Sequence, residues 1–120
     1  METPARPRLG GDRGAVTVEA AVALCSLVLV LGLALAAMSA VVATVRCIDA
    51  SRELARLAAR GEAERGRVVA VELAPSGALL ELVWTADAVR ADVSVQLVRP
   101  LPMRISGRAV AALEPGVGPP

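Results

Sequence analysis

Glu19 is the side chain in this sequence whose chemistry most needs an explanation. It is the last charge before Arg46, and the 26 residues between them, 20–45, carry no formal charge. A carboxylate at the mouth of such an apolar run is costly, by roughly 2.5–3.5 kcal/mol if it reaches a bilayer centre, and it calls for a partner of opposite charge. Gly14 stands five residues ahead, in the stretch Arg13-Gly14-Ala15-Val16-Thr17-Val18-Glu19. Other chemistry is hard to assemble. The chain has no His and no Tyr, so general acid–base work would fall to carboxylates, and no carboxylate pair sits where a pocket can be argued. Ser76 and Ser106 lie beside glycines without the flanking pattern of a nucleophile elbow. No phosphate loop or dinucleotide fingerprint occurs. The chain is expected not to be an enzyme, and to hold no metal and no cofactor.

The cysteines fit that expectation. Cys25 and Cys47 fall on one expected helix, about 33 Å apart at 1.5 Å per residue, far beyond the roughly 7 Å that an intrachain disulfide tolerates. Cys25 reads as a small membrane-buried hydrophobe. Cys47 is either the same or an intermolecular thiol.

Composition bounds the rest. At 120 residues the chain is one small domain plus a membrane element. Hydrophobic residues make up 55% and aromatics 1%, with Trp84 the single ring, so the apolar excess sits in aliphatic helix and strand. All 13 basic residues are Arg, and Lys, Asn, His, Tyr and Phe are missing. Those absent types mostly have AT-rich codons, which points to a GC-rich bacterium and removes any special meaning from Arg in place of Lys. Net charge is +1; without residues 1–14, which hold Arg6, Arg8, Arg13, Glu2 and Asp12, ten charges of each sign remain. No basic face survives that balance, so nucleic acid is not an expected partner.

The elements that would position Glu19 follow from the pattern. Residues 1–14, rich in Pro, Gly and Arg, read as an unstructured cytoplasmic leader. Residues 20–45 exceed the roughly 20 needed to cross about 30 Å of hydrocarbon, so the lipid bilayer is an expected partner. Gly32 and Ala36, four apart, allow close helix–helix approach, or reflect nothing more than abundant Ala. The helical signal continues to about residue 63, giving one helix over 15–63. Along it Cys47, Ala50, Ser51, Leu54 and Ala58 form a weakly apolar stripe, and Arg52, Arg56 and Arg60 share a face that is solvated or meets an acidic neighbour.

After Gly66 the period changes to two, and a small β domain is expected over 67–113. Val69, Val71 and Leu73 share one face. Pro75-Ser76-Gly77 offers turn chemistry, with Pro at the first central position. Ala78, Leu80, Leu82 and Trp84 continue the alternation. Residues 89–98 read as the clearest strand, and Met103, Ile105 and Ala109 suggest a last one broken at Gly107. A four-stranded antiparallel sheet needs one face covered, and the helix is the available lid. Residues 114–120 read as a disordered Pro/Gly tail. The fold class is thus α+β, a long N-terminal transmembrane helix packed on a small antiparallel sheet.

Together these features resemble type IV prepilins: a short charged leader, a glycine, glutamate five residues on, then an apolar helix. Gly10 and Gly11 would put Ala15 and Val16 at that fifth position; Gly14 puts Glu19 there. The stretch from Val45-Arg46-Cys47-Ile48-Asp49-Ala50-Ser51-Arg52 through Glu53-Leu54-Ala55-Arg56-Leu57-Ala58-Ala59-Arg60-Gly61 is similar to the post-membrane segment of TadE-like proteins. These are pilin-like minor subunits of tight-adherence (Tad) pili. Ile105-Ser106-Gly107-Arg108-Ala109-Val110-Ala111-Ala112-Leu113-Glu114 resembles how such chains close. The resemblance implies a pilin-like fold and cleavage by a membrane prepilin peptidase between Gly14 and Ala15. It also implies pairing of the new Ala15 amine with a neighbour's Glu19, and partners among other pilin subunits and the Tad assembly machinery. Ala15 departs from the aromatic first residue of common type IV pilins. A secretory signal, by contrast, is cut after its apolar core.

The implied location is the inner membrane, single-pass with the C-terminal domain outside, and then a surface pilus serving cell adhesion. One count opposes that orientation. Arg6, Arg8 and Arg13 precede the span, whereas Arg46, Arg52, Arg56, Arg60 and Arg65 follow it, and the positive-inside rule keeps the richer side in the cytoplasm. The alternative is an uncleaved single-pass membrane anchor or secretion accessory protein.

Overall fold

The computed structural model describes residues 11–97 and 103–119. In order they form α1 (Gly11–Ala59), α2 (Ala63–Leu73), β1 (Leu79–Trp84), β2 (Ala88–Leu97) and β3 (Met103–Ala112). The class is α+β, a long N-terminal helix and a small antiparallel sheet. The chain divides into two compact units, Met1–Ala37 and Met38–Pro120.

In the first unit the described chain is helix alone. Its Ala, Leu and Val composition favours or tolerates helix, and Ser26 turns its hydroxyl back onto the Val22 carbonyl at 2.8 Å, satisfying itself within the helix. The expected start at residue 15 is corrected: α1 already runs through Gly11 to Gly14. Residues 1–10 of the leader lie outside the described residues.

In the second unit α1 buries a stripe. Ala43, Cys47, Ala50, Ser51, Leu54 and Ala58 follow a helical three- and four-residue spacing, and all are buried. Ser51 satisfies its buried hydroxyl on the Ile48 carbonyl, 2.8 Å away. The helix ends four residues before position 63, and the reason is Gly61. Its φ is +82°, its N–H donates to the Ala58 carbonyl, and the Glu62 N–H donates to that of Leu57. That pair of bonds is a Schellman close, which needs a left-handed residue just past the helix.

α2 then overturns the expected strand at Val69, Val71 and Leu73. The alternating apolar residues are not the buried ones: Val71 is 63% exposed and Leu73 39%. What is buried is Gly66, Ala70 and Ala74, spaced by four. A Cβ on Gly66 would lie 3.2–3.3 Å from Leu57 and Leu54, so the small residues let α2 lie close against α1. Helical spacing of small side chains thus prevails over period-two spacing of larger ones. The turn that follows is shifted as well: Ala78 donates to the Pro75 carbonyl, so Pro75 is the first turn residue, with Ser76 and Gly77 central.

The sheet therefore has three strands rather than four, in the order β1-β2-β3, each pair antiparallel. Leu79 pairs with Ser94 and Trp84 with Val89; Ala88 pairs with Ala112 and Leu97 with Met103. Inward-facing Val89, Ala91, Val93 and Val95 alternate as the pattern implies. Of these, Ala91, Val93 and Val95 meet Cys47, Ala50, Leu54 and Ala55 of α1 together with Ala70 and Ala74, flanked by Leu80, Leu82, Ile105 and Ala109. A second cluster joins Ala58, Ala59 and Val89 to Trp84 and Leu113.

β3 is not broken at Gly107. It runs straight through, and Gly107 is where its backbone meets the backbone of Cys47 and Ile48. Beyond it, residue 114 is fastened rather than loose. The Glu114 N–H donates to the Ala59 carbonyl and its carboxylate pairs with Arg60 at 3.2 Å, next to carbonyls that the end of α1 leaves open.

On the outer face Asp92 stands opposite Arg108 in the register. It accepts from Arg108 Nε at 2.5 Å and from Arg90 Nε at 2.9 Å. The Arg108 hydrogen bond holds its carboxyl below the usual carboxylate range, with both arginine charges adding to the effect. A depressed folded value stabilises the fold above the unfolded pKa of about 3.9 and loses that contribution as pH falls through the folded value. Asp92→Asn is expected to flatten the fall of the thermal midpoint below about pH 4 and to cost stability mainly at neutral pH. Parallel acid profiles for the two proteins would refute this.

Candidate functional site

Gly14, Ala15 and Glu19 all lie in the first turns of α1. Among the described residues nothing comes within 4 Å of a Cβ placed on Gly14. Residues 14–39 are exposed throughout, Glu19 among them. The exposed side chains include Val22, Leu27, Leu29, Leu31 and Leu35, each near or above 58%. A helix this long and apolar is able to cross a membrane by length and composition. Glu19 thus stands on the flank of an unclad apolar helix, near its N-terminal end.

Gly32 and Ala36 also face outward, and among the described residues nothing comes within 4 Å of a Cβ placed on Gly32. The structure brings neither of them to a partner and leaves both accessible to another helix.

Arg52 and Arg56 are placed differently. Arg56 makes a bidentate bond to Glu53, with Nε at 3.0 Å and Nη2 at 2.5 Å, while Arg52 approaches Asp49 at 3.9 Å. With Arg60 they edge a shallow groove of about 340 Å³ between α1 and the β3 residues Ala109–Ala112. The row is therefore ion-paired within the chain as well as solvated. Cys47 is a free thiol with no exposure, buried in the core of the domain rather than in the exposed apolar run.

Two positions escaped the sequence reading. Gly107 had a signal, a glycine inside an alternating strand, which marks close backbone approach as well as a break. Glu114 had none, because its partners come from residues 59 and 60.

The class these features define is a protein with one membrane-length apolar N-terminal helix whose C-terminal part is built into a small α+β domain. The chain is 44% identical over 99 residues to the protein called apoptosis inhibitor Rv3655c in Mycobacterium tuberculosis (strain ATCC 25618 / H37Rv), a match covering 82% of this chain and 79% of that relative. It belongs to the family of that mycobacterial protein. No family model matches the chain, and no solved structure matches it.

Proposed function

We propose that this chain is a minor pilin-like structural subunit of a Tad, type IV-related, pilus, cut after Gly14 by a prepilin peptidase and assembled at the cell surface. One observation carries the reading: Glu19 is the last charge before 26 uncharged residues of α1, exposed like the residues around it, and it lies five residues past Gly14. Cutting there would free an Ala15 amine beside the helix mouth. A neighbour's Glu19 is its natural counter-ion, since opposite charges attract far more strongly in low dielectric than in water. Leaving either one buried alone is heavily penalised, so the pair would fix subunit register. Because the bond lies in the first turns of α1 and no described residue packs on Gly14, opening it for a peptidase requires only terminal fraying. The C-terminal domain would be carried outside.

The first test is the mature terminus. The native protein, in a strain with an active prepilin peptidase, is expected to begin at Ala15 by intact mass; a chain still beginning at Met1 would end the pilin reading. The second is Glu19→Ala, expected to leave cleavage and membrane insertion near normal while the subunit recovered in sheared pili falls several-fold. Unchanged recovery would remove the inter-subunit pairing.

The second reading, an uncleaved single-pass anchor or secretion accessory, is favoured by the arginines after the span. With Cys25 removed, Ser76→Cys separates the two. Reaction with an impermeant thiol reagent in intact cells places the domain outside, and reaction only after lysis places it inside. The relative's name, apoptosis inhibitor, makes no statement about pili, and neither reading depends on it.

A further inference from the structure

The uncharged run is longer than a bilayer needs. Residues 20–39, twenty in number, are all exposed, and burial inside the chain begins at Ala40, which is half-covered, and deepens at Ala43. About 20 residues suffice for 30 Å of hydrocarbon. The residues from Ala40 onward are thus both surplus to the span and already packed against the folded domain.

What packs there is one end of that domain. Pro75 borders a cleft of about 290 Å³ with Met38, Val42, Ala43 and Arg46. β3 runs in the same direction as α1, because Gly107 meets Cys47 while the Glu114 N–H reaches Ala59. Met103 and Arg104 therefore lie toward the Met38 side, and Met103 pairs with Leu97 at the close of β2. Leu79 opens β1 just after the Pro75 turn. This end exposes large apolar side chains: Leu79 is 66% exposed, Met103 57% and Leu73 39%. Arg46 and Arg104 are exposed beside them and make no salt bridge among the described residues. Glu72, on the last turn of α2, is an acid close to this end. The opposite end, by contrast, holds Glu62, Asp87 and Glu114, with Arg60 and Arg65 ion-paired.

We infer that the end of the domain carrying Leu73, Pro75, Leu79 and Met103 is a lipid-contacting surface, seated in the interfacial zone of the bilayer with Arg46 and Arg104 set against lipid phosphates. Apolar side chains next to arginine suit that zone, where the stem of Arg packs on hydrocarbon and its head stays wet. The occupant is a bilayer rather than a second protein because burial in this domain begins at Ala40, directly after the exposed uncharged residues 20–39, and Met38 and Val42 line the cleft beside Pro75. The inference rests on the reading that residues 20–39 cross a membrane, and it holds for either orientation.

The test uses full-length protein in vesicles of phosphatidylcholine and phosphatidylglycerol whose acyl chains carry bromine at positions from the headgroup end to the methyl end. With Trp84→Phe as background, single tryptophans are introduced as Leu29→Trp, Ser76→Trp, Leu79→Trp and Ala86→Trp. Quenching is expected to remove about half or more of the emission at Leu29→Trp and Leu79→Trp, to be clear at Ser76→Trp, and to be absent at Ala86→Trp on the far hairpin. Quenching at Leu29→Trp alone overturns the inference and leaves the span standing, as would be seen if another protein covers this end. No quenching at Leu29→Trp overturns the spanning reading and the inference with it. Equal quenching at Leu79→Trp and Ala86→Trp also refutes it, since the contact would then not be confined to one end.

Discussion

Gly107→Ala is expected to lower the stability of the folded domain by about 3 kcal/mol or more, a large share of the roughly 5–15 kcal/mol that holds a small domain together. A methyl at that position would sit inside the van der Waals shells of the Cys47 carbonyl carbon and oxygen and of the Ile48 amide nitrogen. Those are backbone atoms of a helix, unable to rotate away as a flexible side chain would. Relief would require β3 to lift from α1, which would part Ile105 and Ala109 from the core they flank. Backbone strain at Gly107 does not enter, because its conformation is ordinary strand; only the space matters. Denaturant unfolding of the full-length protein in detergent measures the effect, with Ser106→Ala, an exposed neighbour, as control. A midpoint for Gly107→Ala indistinguishable from that of the control would show that the two backbones are not in contact.

Leu54→Ala is the other large effect, about 2–5 kcal/mol for removing a fully buried leucine. Its size depends on whether the neighbours collapse into the space, and one neighbour makes that measurable. The Cδ1 of Leu54 lies 3.3 Å from where a Gly66 Cβ would be. Gly66→Ala alone gains helix propensity of about 1 kcal/mol and meets tight contacts with Leu54 and Leu57. In the Leu54→Ala background the Cδ1 contact is gone and the new methyl enters the vacated space. The pair should be non-additive by more than about 0.5 kcal/mol, with Gly66→Ala more favourable in the cavity background. Strict additivity would mean that α2 does not rest on Leu54.

The pattern of the chain revealed most of this architecture, and its failures are instructive. Residues 89–96 alternate cleanly because one face packs on α1 and the other meets water, and Cys47, Ala50, Leu54 and Ala58 keep a helical period for the same reason. The segment from Val69 to Leu73 misled because alternation over so few residues also fits a helix, and the deciding residues, Gly66, Ala70 and Ala74, are small enough to carry little hydrophobic signal. Gly107 read as an interruption because close approach of two backbones leaves the same mark on a sequence as a kink. At the N-terminal end Gly14 and Glu19 were legible from spacing alone. The use proposed for them lies between molecules, and in the single chain both are exposed.

The direction of β3 bears on the order in which the protein is made. Cys47 and its neighbours on α1 are closed over by residues about sixty positions later, at Gly107 and beyond. At roughly 5–20 residues per second, a ribosome leaves that stripe open for some 3–12 seconds after it emerges. During that interval the nascent chain is a helix with an uncovered apolar flank, and contacts so distant in sequence form late. Insertion of residues 20–39 can precede any tertiary closure, so the domain would complete itself while already tethered.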